Sequence, residues 1–156
     1  LMSGSDLFEP GRARRLQDPI SFRCLAPVAG HAINAIGAAS LAVDNELASA
    51  PDSPAVLVER DAILSSVNFD TTELALTFEA AGLALSHLAA TSAARIMKLM
   101  SPASSDLPRF LTRHGGTHAG FATSQKTAAA LEAEIRHLAL PLGAMTLPVA
   151  DGVEDY

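Results

Sequence analysis

The sequence predicts a mainly α-helical protein, a bundle of long helices. Two observations carry that prediction. The chain is 49% apolar but holds only 4% aromatics and no Trp, a composition that suits close-packed helices rather than a sheet. Its two longest apolar stretches also repeat at helical rather than strand spacing. With 156 residues the chain is long enough for one domain with a core. Charged residues reach only 18%, below the usual quarter or so. The formal charge of −6 speaks against a general nucleic-acid surface.

Residues 1–26 read as irregular, with Gly4, Pro10, Gly11, Pro19 and the basic cluster GRARR. A helix is expected over about 28–48. Ile33, Ile36, Val43 and Leu47 share one face, and Ala32, Ala35, Ala39 and Ala42 form a small-residue face that permits close helix approach. Pro51 and Pro54 stop it. The run AVLVE that follows is a strand or a buried loop, and its length does not decide between them.

The clearest element is a helix over about 71–99, some 40 Å long. Asp70 is placed to cap it, with Glu73 three residues on. Leu74, Phe78, Ala81, Leu85 and Leu88 make one apolar stripe. Leu76, Leu83, Ala90 and Met97 make a second on another face. A helix apolar on two sides needs cover on two sides, and three long helices supply little of it. Other subunits, or the rest of a longer chain, are expected to supply the remainder. Residues 101–116 form a loop with two prolines and a Gly pair. A third helix is expected from Thr117 or Phe121 to Leu140, ended by Pro141. The tail, 141–156, shows no period, and no internal repeat is found.

A cytoplasmic protein is expected. The single Cys, Cys24, excludes an internal disulfide and points to a reducing compartment. LMSGSDLFEP lacks the basic and apolar regions of a secretory leader. No membrane span is expected, because no window reaches about 18 uncharged apolar residues; Ala80 to Ala94 is interrupted by Ser86, His87, Thr91 and Ser92.

Few residues read as chemistry on their own. His114 and His118 are four apart, but the two Gly between them argue against a helical ligand pair, and no carboxylate lies nearby. His87 and His137 have no ligand partner at matching spacing. GRARR could grip phosphate, but it is short and lacks interleaved aromatics, so a solvated loop is preferred. Cys24 has no close His, since His31 is seven residues on; a buried small hydrophobe is the better reading. No Gly-rich phosphate loop, GxSxG or paired-Cys motif occurs.

Five segments in order add a resemblance. QDPISFRC is similar to the Gln-Asp-x-Tyr-Ser-x-Arg-Cys segment of the histidine and phenylalanine ammonia-lyase family. PDSP resembles its Asp-Asn-Pro turn and SSVNFD its Gly-Gly-Asn-Phe segment. The run AARIMKLMSPASSDLPRFLTRHGGTHAGFATSQKTAAALEAE follows a family run in order and spacing. VEDY resembles its Gln-Glu-Asp-His/Tyr segment. The resemblance implies a mostly helical fold with very long helices, a homotetramer whose core is a helix bundle from all subunits, and active sites built from more than one subunit. It implies a small-molecule amino acid substrate, of the histidine or phenylalanine/tyrosine type; from the charge and the apolar windows, no nucleic-acid or membrane partner is expected. It also implies a methylidene-imidazolone ring formed from an internal Ala-Ser-Gly. The ring captures the substrate, a base takes the β-proton, and ammonia leaves to give an unsaturated acid. This chain contains no Ala-Ser-Gly, and Met2-Ser3-Gly4 lies in the wrong place to stand in for it. The chain therefore reads as a middle-to-late part of such a lyase, without cofactor-forming residues of its own.

Carried over residue by residue, Arg23 matches the arginine that binds the substrate carboxylate, a role suited to a planar fork of donors. Gln17 matches a pocket glutamine, and Phe69 a pocket phenylalanine near the ring. Glu154 matches the catalytic acidic residue facing the substrate amine or ring. Three departures stand out. Ile20 replaces the Tyr, whose hydroxyl organises the pocket or the proton transfer. Val153 replaces the Gln before the Glu, and Ser65, Ser66 and Val67 replace the Gly-Gly pair. An aminomutase, a lyase-like scaffold without chemistry, and an independent helical interaction module are the competing expectations.

Overall fold

The computed structural model describes residues 3–143 and residue 151. Three long helices dominate: α2 (Leu25–Ala48), α3 (Thr72–Leu99) and α5 (Ser124–Leu138). The short helices α1 (Ile20–Arg23) and α4 (Pro102–Ser105) flank them, and strands β1 (Ala55–Leu57) and β2 (Ala62–Leu64) form a hairpin between α2 and α3. Single 3-10 turns span Asp6–Phe8, Val58–Arg60 and Arg109–Leu111.

The helix α3 is central, with α2 and α5 packed against it. Both pairs run antiparallel. The C-terminal part of α3 reaches α1 through Arg95 and Ser21. At the other end, Asn68 Nδ2, just before α3, donates to the Ala50 carbonyl, just after α2, at 3.5 Å. Similarly, Ala139 at the end of α5 abuts Gly82, while Glu79 accepts the Leu142 N–H at 2.5 Å and also that of Gly143.

The α2–α3 seam is made of small residues. Ala32, Ala39 and Ala42 of α2 and Ala81 and Ala84 of α3 are buried, as are Met100 and Ala139. Alanine faces let the helices approach closely but remove little apolar area. A buried methyl contributes about 0.8 kcal/mol, a fully buried Leu or Ile about 1.5–3 kcal/mol. The larger aliphatics face outward: Ile33 is 69% exposed and Leu47 79%. Among the described residues no large side chain is fully buried. The accessible surface is 12011 Å², against about 7,500 Å² for a folded monomer of this mass. The two-sided apolar character of α3 is therefore real and largely uncovered within one chain.

Several elements differ from the sequence expectation. The helix α2 begins at Leu25, not near 28. Pro27 lies in its first turn, where the backbone N–H groups have no intrahelical acceptor, so a missing N–H costs nothing. The helix α5 begins only at Ser124, because Gly120 adopts φ +53° and interrupts any earlier start. A Cβ at Gly120 would collide with the Phe110 carbonyl oxygen, which accepts the Phe121 N–H at 2.9 Å. Part of AVLVE is strand, paired in the register Val56↔Ile63. Its base is closed by Ser53 Oγ donating to the Ser66 carbonyl and Ser66 Oγ to the Asp52 carbonyl, each at 3.0 Å. Asp70 does accept the Thr72 N–H, at 2.7 Å, although the residue at the N-cap itself is Thr71.

The expectation about membrane-length segments is also corrected. By length and composition alone, α2 and α3 are each long and apolar enough to cross a membrane. A helix enclosed by protein on several sides has the same property.

Candidate active-site segment

The segment 17–24 is organised around one helical turn. The Pro19 carbonyl accepts the N–H groups of Phe22 and Arg23 at 2.9 and 3.3 Å, and Cys24 N–H bonds the Ile20 carbonyl at 2.9 Å. Four residues of helix cannot persist alone, because nucleation fixes several residues for a single hydrogen bond. Tertiary contacts supply the rest. Ser21 is buried, at 8% exposure, and its carbonyl accepts Arg95 Nη1 from α3 at 2.9 Å. Upstream, Arg15 Nη2 donates to the carbonyls of Ser104 and Ala103 at 2.7 and 3.4 Å. Arg14 Nη1 donates to the Ser105 carbonyl at 3.1 Å and pairs with the Asp106 carboxylate. The GRARR segment is a largely exposed loop, as expected, and its Arg14 and Arg15 also clamp the end of α4.

Within this frame Arg23 is held at one point only. Its Nε donates to the Asp18 carbonyl at 2.9 Å, which fixes the plane of the guanidinium. Among the described residues, Nη1 and Nη2 have no hydrogen-bond partner. Those two nitrogens are the edge that meets a carboxylate in a bidentate pair. Arg23 and Gln17 are both exposed in the single chain. A cleft of about 280 Å³ lies between α1 and α4, lined by Arg14, Asp18, Phe22, Lys98 and Ser104 among others; neither Gln17 nor Arg23 lines it.

The other sequence-derived residues are not brought to this place. Phe69, 58% exposed, precedes α3 beside the far end of α2. The 24 residues of α2 separate it from Arg23 by about 36 Å of helix. Ile20, at the position where a hydroxyl was expected, is 66% exposed. Glu154 and Val153 lie outside the described residues. Cys24 is half-buried at the α1–α2 junction. The His114 and His118 rings meet edge to face with centroids 5.2 Å apart, and no cluster of three metal ligands occurs among the described residues. Sequence reading missed Arg95 altogether. Its partner Ser21 is 74 positions away, and no local pattern signals a bond to a distant backbone carbonyl.

Comparison with known proteins agrees with the helical fold. The whole chain, residues 1–156, matches the family described as aromatic amino acid lyase. It is 39% identical over 142 residues to a histidine ammonia-lyase of Stigmatella aurantiaca, covering 91% of this chain and 28% of that protein. Among solved structures it resembles the ergothioneine-degrading enzyme ergothionase of Treponema denticola, with TM-score 0.83, 35% identity, and coverage of 96% of this chain and 30% of that one. It also resembles histidine ammonia-lyase of Trypanosoma cruzi, with TM-score 0.82, 30% identity, and coverage of 90% and 28%. The chain thus spans under a third of the length of these relatives. With this helical architecture and a match along its entire length, the chain belongs to the aromatic amino acid lyase family.

Proposed function

We propose that the full-length protein eliminates ammonia from an α-amino acid of the histidine or phenylalanine/tyrosine type, and that this chain supplies the arm that binds the substrate carboxylate. The observation that carries the proposal is the Arg23 fork. Its Nε is spent on the Asp18 carbonyl while Nη1 and Nη2 stay free among the described residues. A carboxylate docked there gains two parallel charge-assisted hydrogen bonds and a fixed orientation. Gln17 adds a neutral donor and acceptor beside it. Phe69 offers an apolar face near the reacting group, and Glu154, outside the described residues, takes the part of the family's acidic residue toward the substrate amine or ring. The electrophile of such a reaction is a methylidene-imidazolone ring from an Ala-Ser-Gly that this sequence does not contain; when present, it withdraws electrons from the bound substrate and so makes the amine a leaving group. Because Arg23 and Phe69 are a helix length apart in one chain, a pocket containing both draws on more than one copy. The uncovered aliphatic faces of α2 and α3 fit a homotetramer, and a cytoplasmic location suits the lone cysteine.

The test is an absorbance assay of the purified full-length protein for unsaturated acid from histidine, phenylalanine and tyrosine. Mass spectrometry establishes ring formation in the same sample. Product from one of the three supports the proposal; no product with the ring intact overturns it for those substrates. β-Amino acid in place of unsaturated acid assigns an aminomutase.

Ile20 favours a second reading, a lyase-like scaffold without chemistry, since its side chain can neither donate nor accept a proton. Under that reading the full-length Ile20→Tyr variant stays inactive. A gain of activity identifies a weakened enzyme instead.

A further inference from the structure

We propose that Arg95 is a positioning residue for the carboxylate site: it holds α1 against α3 so that the Arg23 fork keeps its aim. The inference rests on the carboxylate-binding reading of Arg23 and goes beyond it, because Arg95 touches no substrate.

Three contacts make the case. Arg95 Nη1 donates to the Ser21 carbonyl at 2.9 Å across the α1–α3 contact. Its Nη2 donates to Ser92 Oγ at 2.8 Å, one turn earlier on α3. Ser92 Oγ in turn donates to the Leu88 carbonyl at 2.7 Å, which turns its lone pairs toward Arg95. The guanidinium is therefore oriented on its own helix before it reaches α1. Its second arm then meets the backbone of a turn whose own hydrogen bonds are too few to hold it. Ser21 lies two residues before Arg23, so a shift of the Ser21 carbonyl carries the Arg23 backbone with it. A displacement of about 1 Å is enough to weaken a bidentate pair severely. The Arg14 and Arg15 clamp holds the segment upstream of Asp18. Among the described residues, Arg95 is the side chain that hydrogen-bonds the backbone of α1 itself.

A double-mutant cycle on the full-length protein tests this without needing turnover. Calorimetry measures binding of 3-phenylpropionate and 3-imidazolylpropionate, each against its carboxamide, to the parent, Arg95→Ala, Arg95→Lys, Arg23→Ala and the Arg95→Ala/Arg23→Ala pair. Arg95→Ala is expected to weaken the carboxylate about tenfold while leaving the carboxamide nearly unchanged. That loss should vanish in the Arg23→Ala background. Arg95→Lys is expected to recover part of it, since an ammonium reaches one acceptor but lacks the planar fork. Where turnover is measurable, KM should rise with little change in kcat. Equal weakening of carboxylate and carboxamide, or an equal Arg95→Ala effect with and without Arg23, would show a purely structural role and overturn the inference. If Arg95→Ala fails to fold, Arg95→Lys decides by the same carboxylate-to-carboxamide ratio. Arg23→Ala with undiminished carboxylate binding overturns the reading beneath it, and is told apart because that single variant reports it alone.

Discussion

Arg23 and Phe69 stand at opposite ends of the antiparallel α2–α3 pair, separated by the 24 residues of α2, or about 36 Å. A small amino acid spans a fraction of that distance. Any pocket that uses both residues therefore takes them from different copies of the chain. Full-length Arg23→Ala and Phe69→Ala variants, each expected to be impaired on its own, should complement one another when co-expressed. Mixed assemblies would contain some sites with both native residues, and a fraction of the parent activity should return. Mixing that restores nothing, in assemblies shown to exchange subunits, would mean that both residues are needed in the same copy.

The small-residue seam between α2 and α3 has a consequence for the isolated 156 residues. With alanines at the contact and aliphatics outside, the chain should retain helix but melt without a sharp transition, and it should self-associate. Circular dichroism with light scattering would check this. A cooperative melt from a monodisperse monomer would instead support an independent helical module. If the chain becomes monodisperse only in lipid or detergent, the apolar length of α2 and α3 reflects a membrane rather than partner helices.

The groove of about 560 Å³ between α2 and α3 is lined by Ile36, Val43, Phe78 and Leu85 among others. If the proposed homotetramer covers this groove, charging it in the full-length protein, by Ile36→Glu together with Leu85→Glu, should break that assembly and the proposed activity with it, since an unpaired carboxylate buried at an interface costs several kcal/mol. Sedimentation velocity reads the oligomeric state directly. An intact oligomer carrying both substitutions would place the interface elsewhere on the chain.

The long helices were legible because period and composition act locally. The alanine face of α2 and the double stripe of α3 follow from residue spacing alone, and so does the need for outside cover. Boundaries were legible only where one residue dominates. Pro51 ends α2 as expected, but the start expected near 28 falls at Leu25, because the first turn tolerates Pro27. The start of α5 was invisible because it depends on a tertiary approach: the Phe110 carbonyl must pass close to Gly120. The candidate site was read from motif, and its supports were not. Arg23 and Gln17 were singled out by motif, yet what holds the Arg23 guanidinium is the backbone carbonyl of Asp18, and the neighbouring turn is tied to α3 through the carbonyl of Ser21. Carbonyls carry no side-chain identity, so no sequence pattern marks them.

The loop before α5 should be sensitive at a single position. Phe110 and Leu111 both adopt positive φ, +54° and +59°, a conformation that costs a bulky L-residue about 1–3 kcal/mol. The surrounding contacts hold it in place: Phe110 N–H bonds the Met100 carbonyl at 3.1 Å, and the Phe110 carbonyl accepts Phe121 N–H. Gly120 lets the chain pass that carbonyl at φ +53°. Gly120→Ala adds a methyl in conflict with backbone, which cannot swing aside as a side-chain tip can. We expect the full-length variant to lose about 2–4 kcal/mol of stability, read as a lower urea midpoint with an unchanged slope. Gly115→Ala is the control. No neighbouring atom lies near the space its Cβ would fill, and its φ is not in the left-handed range, so its midpoint should stay close to that of the parent. Equal midpoints for the two variants would mean that the loop yields at Gly120 and that the close passage of Phe110 is not required for the fold.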